Sequence, residues 1–184
     1  MRIHPLDIAD VLLIELDCHA DERGFFCERF HAGKMADFGL KRQWSQDNHS
    51  KSHAKVLRGI HTQHNPSQGK LVGVTRGSIW DVAVDLRPTS SSFGAYVAAE
   101  LTEDNHRLLF IPEGFGHGFC VLGDSPADVT YKVTGLYNPK GESGVRYDDE
   151  TLGIAWPITQ PIVSARDKNL PNLAEFKMAL EKNR

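Results

Sequence analysis

From about residue 55 to residue 135 the apolar residues come in short runs that alternate with polar ones, and this period of two commits the stretch to β-strands. Within 80–86, Trp80, Val82, Val84 and Leu86 point one way while Asp81, Ala83 and Asp85 point the other. Comparable segments are VLLIELD, VLRGIHTQ, KLVGVTRG, AYVAAEL, HRLLFIP, GFCVL and DVTYKVT, parted by turns such as ThrArgGly, GluAspAsn, ProGluGly and GlyAspSerPro. Many short strands at this spacing predict an all-β sandwich or jelly roll. Helical pattern is confined to 34–39 and to the tail after Pro171, where Asn172 can cap and Leu173, Phe176 and Leu180 share one face. Helices are therefore expected at the periphery.

With 184 residues and no internal repeat, low-complexity tract or linker composition, one domain over 1–184 is expected. The formal charge of -3 is small and carries no run of five like charges, which argues against a nucleic acid or anionic membrane partner. The longest early apolar run, 11–14, is too short for a signal-peptide core or a membrane span, so a cytoplasmic protein is expected. Cys18, Cys27 and Cys120 are odd in number and widely spaced, and reduced structural thiols are the expectation.

Strand parity then sorts the chemical groups. Tyr131 shares a face with Val129 and Val133, and Lys70 with Val72 and Val74, so both are expected to point into the barrel. His61 shares a face with Leu57 and Gln63 on simple alternation, whereas Arg58 joins it only if Gly59 marks a bulge, which is the expectation here. A base, an oxyanion stabiliser and a phosphate clamp then lie in KVLRGIHTQHNPSQGK, residues 55–70.

These residue types suit proton abstraction beside a ketone. A histidine, titrating ordinarily near 6.5, is a fitting base at neutral pH when a carboxylate orients its other nitrogen, and His61 with Asp167 is the candidate dyad. A lysine held in a dry barrel stabilises the enolate, which assigns Lys70; Tyr131 is the candidate proton donor from the opposite side of the sugar. Arg23 and Arg58 suit a diphosphate through bidentate guanidinium contacts. The plain alternatives are a satisfied core or surface histidine, a solvated turn lysine, a packing tyrosine and surface arginines. His61, His64, Glu113 and His117 also have the chemistry to hold a metal, although the same-face pair on the strand is His61 and Gln63, and an amide is a poor ligand.

The segments DERGFFCERF, QDNHSKS, VLRGIHTQ, QGKLV, DVAVDLR, FIPEGFGHGF, YKVTGLYNP and GIAWP, in this order and across nearly the whole length, resemble the dTDP-4-dehydrorhamnose 3,5-epimerase family. The resemblance implies a cupin-like double-stranded β-helix, a homodimer with exchanged N-terminal strands, and catalysis with no metal and no cofactor. Matched by motif, His61 looks like the proton acceptor, Asp167 its orienting partner, Lys70 the enolate stabiliser and Tyr131 the proton donor. Arg23, Glu28, Gln46, Asp47, Asn48, Arg58, His117, Tyr137, Glu142 and Arg166 look like substrate-binding positions, with Arg23 and Glu28 serving the partner chain.

The chain departs from the family pattern at Thr62, Gly73, Leu136 and Tyr147, where an aromatic, Arg, an aromatic and Trp are usual. The resemblance implies epimerisation at carbons 3 and 5 of a nucleotide-linked 4-keto-6-deoxyhexose, dTDP-4-dehydro-6-deoxy-D-glucose being the expected substrate. A mono-epimerase acting at one of the two carbons is the alternative within that chemistry. A metal-dependent cupin or a catalytically silent sugar-binding protein is the alternative outside it.

Overall fold

The computed structural model describes residues 1–182. In chain order the elements are β1 (Arg2–Pro5), β2 (Leu12–Glu15), β3 (Cys18–Asp21), β4 (Gly24–Cys27), α1 (Ala32–Asp37), β5 (Gln46–Ser52), β6 (Leu57–Gln63) and β7 (Lys70–Arg76). They continue with β8 (Ser78–Asp85), β9 (Tyr96–Thr102), β10 (Arg107–Ile111), β11 (Phe115–Val121), β12 (Ala127–Val133), β13 (Glu142–Gly144), α2 (Ala165–Lys168) and α3 (Leu173–Lys182). Among the described residues no helix is long and apolar enough to cross a membrane.

Two antiparallel sheets face each other as a cupin-like jelly roll. One runs β1-β2-β10-β7-β12-β5 and the other β13-β6-β11-β8-β9, while β3 and β4 form a separate hairpin. Their inner faces meet in a core of Val72, Val74, Ile79, Ala83, Leu101, Leu109, Ile111, Phe115, Phe119 and Val129. Alternation sends the opposite residues outward, where a second layer covers them. Ile60, Val82, Val84 and Leu86 pack under Val145, Leu152, Leu173 and Phe176 of the C-terminal segment. Leu71, Leu108 and Phe110 pack under Met35 and Leu40 on the other side. Both sheets are therefore buried on two faces, which is why their strands read as nearly continuous apolar runs.

The tail helix α3 forms as expected. Asn172 Oδ1 accepts from the Glu175 amide at 2.8 Å and Glu175 returns the contact to the Asn172 amide at 3.0 Å, a reciprocal cap. The 34–39 pattern resolves into α1, which starts two residues earlier behind an N-cap at His31.

One reading from sequence needs correction here, and one is met. Cys18 and Cys27, nine residues apart, form a disulfide and not free thiols, because the hairpin register sets them directly opposite each other; only Cys120 is free. The bulge expected at Gly59 is present, and with it Leu57 leaves the face of His61. The bulge at Gly59 inserts one residue into β6, so His117 pairs with His61 but Phe119 pairs with Arg58. Arg58 and His61 thereby share the inner face, and Leu57 turns outward onto Cys120 and Val163.

Gly59 is required at that bulge. Its φ is +123°, and a Cβ there would lie 2.5 Å from the Gly118 Cα and 2.9 Å from the His117 carbonyl oxygen.

Candidate active site

The polar groups converge at one end of the inner core. On β6, His61 Nε2 lies 2.8 Å from Oδ1 of Asp167. Asp167 belongs to α2, a single turn whose N-cap, Ser164, accepts from the Asp167 amide at 3.0 Å. Its second oxygen accepts from the Gly59 amide at 3.2 Å, so the bulge and the dyad brace each other. Burial pushes the Asp167 carboxyl up, but the bond to His61, the histidine's charge and the Gly59 and Ser164 contacts hold it below its ordinary value. An ionised carboxylate only accepts, so Nε2 donates and Nδ1 of His61 keeps the basic lone pair.

Lys70 opens β7 on the face of Val72 and Val74. Burial pulls its ammonium down to about 8, against the opposing charges of Asp81 and Glu142. Tyr131, two strand positions from Val129, packs partly buried against the inner core. Burial pushes its phenol up, Arg58 opposes and Glu142 adds to the rise. The Arg58 Nε donates to Ser52 Oγ at 2.9 Å and its guanidinium to the Lys51 carbonyl at 3.3 Å. His117, buried on β11, is bound through Nε2 to Asp81 Oδ1 at 2.7 Å.

Glu142, Tyr137 and Arg166 form a cluster at the rim. Tyr137 donates its hydroxyl to Glu142 Oε2 at 2.7 Å, and Arg166 meets the same oxygen at 2.9 Å. Burial pushes the Glu142 carboxyl up, but these two bonds and the His61 charge bring it below its ordinary value. Gln46 donates to Asn48 Oδ1 at 2.7 Å and accepts from the Tyr137 amide at 3.2 Å. Both lie on the β5 face that meets Tyr131, since Asn48 is the cross-strand partner of Tyr131.

Three expected site residues fall elsewhere. Asp47 points from the opposite face of β5 and pairs with Lys132 at 2.7 Å. It lines a groove of about 560 Å³ on the outside of the six-stranded sheet, with Arg29, Phe30, His49, Thr130 and Lys132. That groove, which Asn48 and Tyr131 also border, holds neither His61 nor Lys70, so we place the chemistry inside the barrel. Arg23 and Glu28 sit on the exposed hairpin and just after it, paired locally with Asp21 and Lys34, each at 2.6 Å.

The four groups with metal-binding chemistry are not brought together. The His64 ring lies against Phe176 at 6.2 Å, and Glu113 accepts from Thr134 at 2.9 Å. Among the described residues no three His, Cys, Asp or Glu side chains are grouped as a metal site needs.

Strand parity puts Asp81 on one face with Ala83 and Asp85 but does not say that this face is the inner one, nor name its partner His117. Its signal was legible: an acid alternating with valines in DVAVDLR marks a buried charge. At Gly73 a Cβ would meet Leu108 Cδ2 first and then the Arg29 guanidinium, 2.7 Å away. Arg29 donates there to the Val74 carbonyl and Thr130 Oγ1, both at 3.0 Å.

A jelly roll that carries a carboxylate-bound histidine, a half-buried lysine and a half-buried tyrosine at one end of its core has the architecture of a cupin-like isomerase. The sequence profile of the dTDP-4-dehydrorhamnose 3,5-epimerase family matches residues 5–175, and the chain belongs to that family. It is 44% identical over 171 residues to a dTDP-4-dehydrorhamnose 3,5-epimerase of Shigella flexneri, covering 92% of this chain and 94% of the relative. It is 38% identical over 181 residues to a dTDP-4-dehydrorhamnose 3-epimerase of Streptomyces niveus, covering 97% and 87%. A crystal structure of the Legionella pneumophila 3,5-epimerase in complex with dTDP-4-keto-L-rhamnose superposes with a TM-score of 0.91 at 40% identity, covering 95% of this chain and 96% of that one.

Proposed function

We propose that this chain epimerises carbons 3 and 5 of dTDP-4-dehydro-6-deoxy-D-glucose to give dTDP-4-dehydro-L-rhamnose, in the cytoplasm. The observation that carries the reading is the 2.8 Å contact between His61 and Asp167, residues 106 apart in sequence. In this reading His61 Nδ1 removes the proton alpha to the ketone and Asp167 holds the resulting imidazolium. Lys70 stabilises the enolate oxygen, and Tyr131 returns a proton to carbon from the opposite face. Loss of the His61 proton to solvent and reprotonation of Tyr131 from solvent reset both groups, and the cycle then serves the second carbon. Arg58 and His117 bind the substrate within the barrel, and Gln46, Asn48, Tyr137, Glu142 and Arg166 bind it at the rim.

The active unit in this reading is a homodimer. Arg23 and Glu28, which pair with Asp21 and Lys34 within the protomer, then reach the partner's substrate. The exposure of Phe25 and Phe26 on the same hairpin, 62% and 70%, supports that assignment.

Proton NMR of the substrate with enzyme in deuterated water tests the chemistry. Deuterium at both carbon 3 and carbon 5 with the L-rhamno product is expected. Exchange at carbon 3 alone would instead match the activity named for the Streptomyces niveus relative. His61→Ala is expected to abolish exchange while leaving dTDP binding nearly intact; normal residual turnover with lost binding would refute the role of the histidine.

A further inference from the structure

Asp81 is a buried charge for which the proposed chemistry has no use. It stands on the inner face of β8, fully buried, next to Ala83 and Ile79 in the wall of the apolar core. One oxygen is held by His117 Nε2 at 2.7 Å, whereas Oδ2 is buried with no hydrogen-bond partner. A carboxylate oxygen left bare in a core is costly, so such an atom calls for a reason. The cation available to it is Lys70, which opens β7 in the facing sheet and for which Asp81 is the foremost attracting charge.

We propose that Asp81 is a positioning residue for the epimerase reaction: one carboxylate oxygen locks His117 as its Nε2–H tautomer, and the other supplies the counter-charge that keeps Lys70 an ammonium. The inference rests on the function proposed above.

The physical argument is one of charge balance. Lys70 can stabilise an enolate only while protonated, and burial works against that form. The groups that face it are Asp81 on β8, Glu142 on β13 and His117 on β11, with Tyr131 on the neighbouring β12. Glu142 is engaged by Tyr137 and Arg166, and Glu113, beside Gly69, is engaged by Thr134 and Arg42. Burial pulls the His117 ring down against the opposing charge of Asp81, and Lys70 and His61 lower it further, which favours the neutral form. Asp81 alone among these acids has an oxygen that is both buried and without a hydrogen-bond partner. With Nε2 donating to Asp81, Nδ1 of His117 is left as an acceptor beside the substrate.

Asp81→Asn keeps the shape and removes the charge. In this variant the alkaline limb of kcat/KM, expected near pH 8 in the wild type, should fall by about one pH unit or more. Lys70 observed by carbon-13 NMR at Cε, without substrate, should titrate lower by the same amount. Unchanged limb and unchanged Lys70 titration in a folded variant would overturn the proposal. Nitrogen-15 NMR of the wild type gives a result that no misfolded variant can obscure: His117 protonated at Nε2 is expected, and the Nδ1–H tautomer would overturn the lock. Failure of the wild type to exchange deuterium would instead sink the substrate assignment, leaving both NMR readouts to judge Asp81.

Discussion

Lys70 shows how one residue can serve function and stability with opposite signs. Turnover needs its ammonium, which is present below about pH 8 and lost above it. An unfolded lysine keeps its proton to about 10.5, so between these values the unfolded chain binds more protons and the lysine's contribution to stability rises with pH. Stability thus improves across the window in which activity fails. Lys70→Met is predicted to lower kcat by roughly a hundred- to a thousandfold and to remove the alkaline limb of the kcat/KM profile, both read from initial rates across pH. Residue types made this candidate visible before any fold was known, because a lysine alternating with valines has to be buried or misread. They were silent on its counter-ion, since Asp81 lies on another strand at a position set by sheet pairing.

At the scale of elements, the bulge in β6 decides whether the site exists. Regular alternation would send Arg58 and His61 to opposite faces; one extra residue at Gly59 puts them on the same one. Gly59→Ala forces a side chain onto the Gly118 backbone at positive φ, and is predicted to cost at least about 2 kcal/mol in chemical unfolding. In any folded fraction kcat/KM should drop further than stability accounts for, because the Gly59 amide also holds Asp167. β5 was illegible as a strand for a related reason. Its inner residues, Gln46, Asn48, Ser50 and Ser52, are polar, so it lacks the apolar rhythm that betrayed the other strands. The hairpin β3–β4 escaped notice because each strand is four residues long and largely exposed.

Across the whole molecule, the C-terminal segment joins the site to the stability of the fold. It first delivers Asp167 to His61 and then lays α3 over the outer face of the five-stranded sheet, where Leu173 and Phe176 are buried with Val82, Val84 and Leu86. Phe176→Ala is predicted to destabilise by about 3 to 5 kcal/mol, seen as a lower urea midpoint at unchanged slope. The sequence by itself determined the strand-rich class, the tail helix with its Asn172 cap and the inward faces of Lys70 and Tyr131. Each of these follows from near neighbours along the backbone, whose alternation and capping act within a few residues. Only the tertiary structure decided that Asp167 meets His61, that Asp47 leaves the barrel, that Cys18 and Cys27 close a hairpin, and that Asp81 stands behind His117. Those contacts depend on strand register and sheet closure over tens of residues, and no local pattern in a chain encodes the distance between two side chains that far apart.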